Sequence, residues 1–157
     1  WRCRGSGRTE CLRPEEPDYR ISEWRDRLYN EAENRSFRKM LDAFREGSPC
    51  SILVAYQGCK LVGFLSNDDK ESRGNATREE LASLGAVAAV TTAMGHHLES
   101  PKVLAMGCFA MQALADGHDT HPRMVVESGG AEVVAHVLRA HGHTHADAAE
   151  YCIAAMA

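Results

Sequence analysis

The sequence predicts an all-α fold made by repeating one helical unit. Three observations carry the prediction: an alanine-rich second half with apolar residues at helix spacing, a self-match at an offset of 44 residues, and glycines just past short helices in each matching stretch. Residues 1–80 hold 15 basic and 15 acidic residues but four alanines, whereas residues 81–157 hold three basic, seven acidic and eighteen alanines, with all eight histidines. Alanine combines the best helix propensity with a very small side chain, so the second half suits helices packed closely on one another.

A length of 157 residues fits one domain with a sizeable core. The net charge of −4 argues against a chain built to hold nucleic acid and favours a basic protein partner. No run approaches the ~20 apolar residues of a membrane span, and the Arg-rich start at Trp1, Arg2, Cys3 and Arg4 leads into no secretory apolar stretch. These features predict a soluble, unsecreted, cytoplasmic or nuclear chain with no membrane partner. Its start at Trp1 and its end inside the apolar stretch from Cys152 to Ala157 predict a piece of a longer protein, with further repeats beyond Ala157.

Residues 1–20, with Gly5, Gly7, Pro14 and Pro17 among charges, have no apolar period and predict a loose polar arm. Residues 21–47 predict an amphipathic capping helix, or two, because Ile21, Trp24, Leu28, Ala32, Phe37, Met40, Leu41 and Phe44 mostly recur every three or four positions. Ser22 suits its start, Gly47 and Pro49 its end, and Asn30, Asn34 and Ser36 permit a break.

Residues 48–157 predict the repeats. At the 44-residue offset Gly85 falls on Gly129, Met94 on Leu138, His97 on His141, Cys108 on Cys152 and Phe109 on Ile153. Further upstream, the stretch from Gly58 to Ser66 lines up with Gly107 to Ala115 at a larger offset, and the polar loop from Ser66 to Asn75 holds the insertion. Each unit reads as a short helix from Arg78 or Arg123, then a turn at Gly85 or Gly129, where glycine supplies a positive φ without a Cβ clash. A second helix follows, from Val87 to Met94 and from Glu132 to Ala140, the latter with Val133, Val134, Val137 and Leu138 on one side. After a histidine-bearing loop comes a third helix, from Pro101 to Ala115 and from Ala146 onward, with Pro101 in a first turn where its missing N–H costs nothing.

Over residues 50–157 this order resembles the armadillo repeat, with the helical HEAT repeat as second choice. The segment Ser128-Gly129-Gly130-Ala131-Glu132-Val133-Val134 is similar to the family's glycine pair before a hydrophobic helix, and Ala113-Leu114-Ala115 to the end of its third helix. The resemblance implies a right-handed α-solenoid of about two and a half to three units, in which each layer is covered only by its neighbours. It implies a non-catalytic scaffold that binds a protein or peptide along the concave face of stacked third helices. Where peptide-clamping members carry an Asn, this chain has Phe64, Ala113 and Ala157, so a folded or helical partner fits as well as an extended peptide. Lys60, Phe109 and Gln112, on outward positions of the third helices, are the candidate anchors.

His141-Gly142-His143-Thr144-His145 offers a competing reading, a metal-binding helical protein using His141, His143 and His145. The preferred reading is an exposed loop, because no closely spaced cysteine or second ligand pair accompanies them. Six cysteines show no C-x-x-C pair, and Cys59, Cys108 and Cys152 occupy equivalent places; this predicts small buried core residues and a reducing compartment. No phosphate loop, nucleophile elbow or H-E-x-x-H helix occurs, so neither catalysis nor a cofactor is expected. Glu15-Glu16 and Asp68-Asp69 read as solvated charge.

Overall fold

The computed structural model describes residues 19–67, 71–116, 121–141 and 150–153, and every regular element among them is a helix. The chain is all-α in these parts: α1 (Tyr19–Glu33), α2 (Phe37–Gly47), α3 (Ile52–Ser66), α4 (Glu71–Ser83), α5 (Ala86–His96), α6 (Pro101–Ala115), α7 (His121–Glu127) and α8 (Gly130–His141). Residues 150–153 are helical as well. Of the predicted arm over residues 1–20, residues 1–18 lie outside the described residues, as do Asp68 and Asp69, while Tyr19 and Arg20 are the first turn of α1.

The helices associate by rank. α1, α2 and α3 pack together, α3 lies along α6, α2 meets α5, and α5 meets α8. One continuous core runs through them, with Phe37, Leu41, Phe44, Val62, Leu81, Met94, Leu104, Met111 and Leu114 all buried. Among the described residues no helix is long and apolar enough to cross a membrane.

A residue in the left-handed region precedes each of α2, α5 and α8. Gly85 and Gly129 adopt φ of 80° and 82° as the sequence predicts, and Arg35, before α2, holds the same left-handed region at 55°. A side chain tolerates this conformation poorly, and Arg35 is held there by tertiary contacts. Its guanidinium lies 5.6 Å from the Phe37 ring centroid and donates to Thr77 Oγ1 at 3.1 Å. The break permitted by Asn34 and Ser36 is therefore a real turn, and the segment predicted as a capping helix is two helices.

α3 and α6 carry a matched pair of glycines. A Cβ at Gly58 would overlap the Phe44 ring, and a Cβ at Gly107 would overlap the Met94 side chain. Each glycine thus lets a large residue near the end of α2 or α5 sit on the backbone of α3 or α6. α3 begins at Ile52, with the Ser51 hydroxyl accepting from Val54 N at 3.3 Å. The predicted loop from Ser66 to Asn75 is helical from Glu71 onward; no apolar residue before Ala76 signals it, because this end of α4 is polar in sequence.

One buried cation explains how α4 is placed. Arg78 is 8% exposed, and its guanidinium donates to Ser66 O at 2.9 and 3.2 Å and to Asp116 O at 2.6 Å. These carbonyls end α3 and follow α6, where helices leave acceptors unsatisfied and carry partial negative charge.

Cysteine pairing departs from expectation. Cys108 and Cys152 form a disulfide across 44 residues of sequence, Cys50 is also disulfide-bonded, and Cys59 alone among the described cysteines is a free thiol. The three equivalent positions are buried as predicted, but two of them are bonded to each other. The pairing has the 44-residue spacing of the self-match in the sequence and not that of a local motif. The cysteines therefore no longer argue for a reducing compartment or for a cytoplasmic location.

Candidate functional site

α3, α6 and residues 150–153 bring three aromatic side chains into one strip: Phe64 on α3 is 57% exposed, and Phe109 and Tyr151 are half-buried. Ile153, two residues beyond Tyr151, is 60% exposed. Phe64 meets Phe109 of α6 edge to face, with ring centroids 5.4 Å apart, and Phe109 meets Tyr151 at 5.5 Å. Such pairs hold aromatic rings in fixed relative positions, so the strip is preformed. Gly63 makes the first rung possible, because a Cβ there would overlap the Phe109 ring.

Polar groups flank the rings. Lys60, one helical turn before Phe64, places its Nζ 5.9 Å from the Phe64 centroid, a cation–π distance. Gln112 lies three residues beyond Phe109 on α6 and is half-buried. Of the three anchors read from the sequence, Lys60 and Phe109 are brought together through Phe64. Gln112 shares the helix of Phe109.

Two members of the strip escaped the sequence reading. Phe64 stands where peptide-clamping armadillo repeats place an amide, and that substitution together with the i, i+4 spacing from Lys60 was the available signal. Tyr151 falls on Gly107 and Gly58 in the alignment of units, and nothing local marks a tyrosine there as a partner for Phe109.

The histidine alternative has one of its three rings among the described residues. His141 Nε2 lies 3.1 Å from Leu98 O; a carbonyl only accepts, so this nitrogen carries the proton and the ring's lone pair is on Nδ1. His143 and His145 lie outside the described residues. Among the described residues no group of three or more His, Cys, Asp or Glu side chains is placed to hold a metal ion.

Nucleophilic chemistry is equally poorly served at Cys59. Burial pushes its thiol up to about 12 from 9.0, against a smaller lowering by a backbone hydrogen bond. The thiolate is the reactive form, so this sulfur is inert at neutral pH. What remains on the third helices is a fixed apolar surface with polar edges. No protein-family model, curated protein or solved structure matches the chain.

Proposed function

We propose that the chain is a segment of armadillo-like α-solenoid that binds a protein partner over the strip formed by its third helices. The observation that carries this reading is the ladder Phe64–Phe109–Tyr151, which joins α3, α6 and residues 150–153. Contiguous exposed apolar side chains on a rigid frame are the mark of an interaction surface, and a preformed one loses little conformational entropy on binding.

Three features support the layered reading. The left-handed turns at Arg35, Gly85 and Gly129 each open a second helix. Gly58 and Gly107 each receive a large side chain from the second helix before them. His97 and His141 each bond a main-chain oxygen between the second and third helices of the layer before. On this reading α1–α3, α4–α6 and α7 through residue 153 are three units, and the segment expected to be a cap is the start of the first. Lys60, Phe109 and Gln112 flank or form the surface, with Phe64 as its most exposed ring.

Photo-crosslinking tests the reading. With p-benzoylphenylalanine at position 64, 109 or 151 of the full chain in its native cell, we expect one and the same crosslinked protein from all three positions. Position 38 on α2, where Arg38 is exposed, should yield none of it. Crosslinks confined to position 38, or none from the strip, would refute the assignment.

A further inference from the structure

The Cys108–Cys152 bond joins two helical segments that lie 44 residues apart in the chain. Both residues are fully buried. Their chain neighbours Phe109 and Tyr151 form the second rung of the aromatic strip, at 5.5 Å. The same two residues therefore sit beside both the covalent and the aromatic contact between α6 and residues 150–153.

α8 buries Gly130, Val134 and Val137, fewer than α5, its counterpart 44 residues earlier, which buries seven residues. Segments with few buried apolar contacts open first, at a free energy well below that of global unfolding. A bond placed at such a layer controls whether the layer is docked.

We propose that Cys108–Cys152 is a redox-operated latch. Oxidised, it clamps the last helical segment onto α6 and completes the strip; reduced, it lets that segment open and takes Tyr151 away from Phe109. The bond is buried, so a reductant reaches it during local opening of the last layer. A dithiol reductant opens it by exchange: one thiolate attacks a cysteine sulfur and forms a mixed disulfide, and the other cysteine sulfur leaves as a thiolate and takes up a proton. The second thiol of the reductant then displaces the remaining cysteine. Two electrons pass to the protein, which gains two thiols, and the reductant leaves as its own disulfide. A small-molecule disulfide such as oxidised glutathione reverses both steps. Cys59, the equivalent residue one layer earlier, is buried with its thiol protonated and takes no part.

Amide hydrogen exchange on the full chain tests the latch without reference to any partner, so its outcome is separate from that of the crosslinking. With dithiothreitol we expect exchange in α8 and residues 150–153 to rise roughly tenfold or more, with α3 unchanged. The double variant Cys108→Ser/Cys152→Ser should show the fast rates without reductant and no response to it. Exchange insensitive to reductant would overturn the proposal. So would an equal response in the double variant, which would assign the effect to the Cys50 bond. Should the double variant not fold, titration of the wild-type chain across glutathione ratios decides: exchange in the last layer must follow the fraction of Cys108 and Cys152 found as thiols by mass spectrometry, and a profile that ignores that fraction rejects the latch.

Discussion

His97 donates from Nε2 to the main-chain oxygen of Ser48 at 2.6 Å. Ser48 is the C-cap of α2, so the imidazole satisfies a carbonyl that the helix end leaves open. Forty-four residues later His141 makes the corresponding bond to Leu98 O, just past the end of α5. The same residue type thus ties the end of α5 to the end of α2, and the end of α8 to the end of α5.

Replacing His97 by Ala leaves that part-buried carbonyl without its donor. We expect a loss of about 1 kcal/mol in urea-induced unfolding, and a similar loss for His141→Ala. Combining them should be close to additive, because the two bonds share no partner. A double variant as stable as wild type would mean that water replaces both bonds at no cost.

Arg78 holds the ends of two third helices at once through Ser66 O and Asp116 O. Arg78→Ala should cost about 2–4 kcal/mol, since it strands buried acceptors that a charged donor had satisfied. Arg78→Lys should recover little of it, because a single ammonium cannot reproduce the planar fork. Thermal and urea unfolding of the two variants measure this; full recovery by lysine would show that only charge matters.

Glycine substitutions should split by location. Gly58→Ala and Gly107→Ala meet Phe44 and Met94, so we expect destabilisation of about 1–3 kcal/mol from overpacking, less at Gly107 where the neighbour is a flexible methionine. A Cβ at Gly95, in α5, would meet no atom within 4 Å; Gly95→Ala should stabilise by roughly 0.5–1 kcal/mol through helix propensity. Chemical denaturation curves for the three variants check both signs.

Cys59 supplies a pH dependence. Its folded thiol stays protonated up to about 12, while in the unfolded chain it ionises near 9.0. The unfolded state therefore loses a proton first as pH rises. The stability this group contributes is complete below about pH 9 and falls as pH climbs towards 12, by up to about 1.4 kcal/mol per pH unit. Relative to wild type, Cys59→Ala should show a shallower loss of stability in that window. Iodoacetamide at pH 8 should leave Cys59 of the native protein unmodified and label it after denaturation; parallel pH profiles for the two chains would contradict the burial argument.

Much of the helix layout is legible in the residues themselves. Pro101 opens α6 and Ala115 closes it, and Gly85 and Gly129 take the positive φ expected of glycines past short helices. The core faces of α2 follow the spacing of Phe37, Met40, Leu41 and Phe44. The polar beginning of α4 was not legible, because the helix is positioned by Arg78 reaching two distant carbonyls and not by an apolar stripe of its own. The candidate surface was half legible: Lys60 and Phe109 follow from the alignment of units, while Phe64 and Tyr151 join them only when neighbouring third helices are set side by side.

By itself the sequence determined what depends on a few neighbouring residues: where helices form, where glycine turns the chain, and which positions recur. These follow from local φ/ψ preferences and from the period at which apolar groups must be buried. Only the tertiary structure decided that Cys108 is bonded to Cys152 while Cys59 stays a thiol, that Arg35 takes a conformation glycine would normally fill, and that three rings from different helices make one strip. Each of those depends on how helices distant in sequence are placed against one another, which is set by side-chain packing between them and written in no single stretch of the chain.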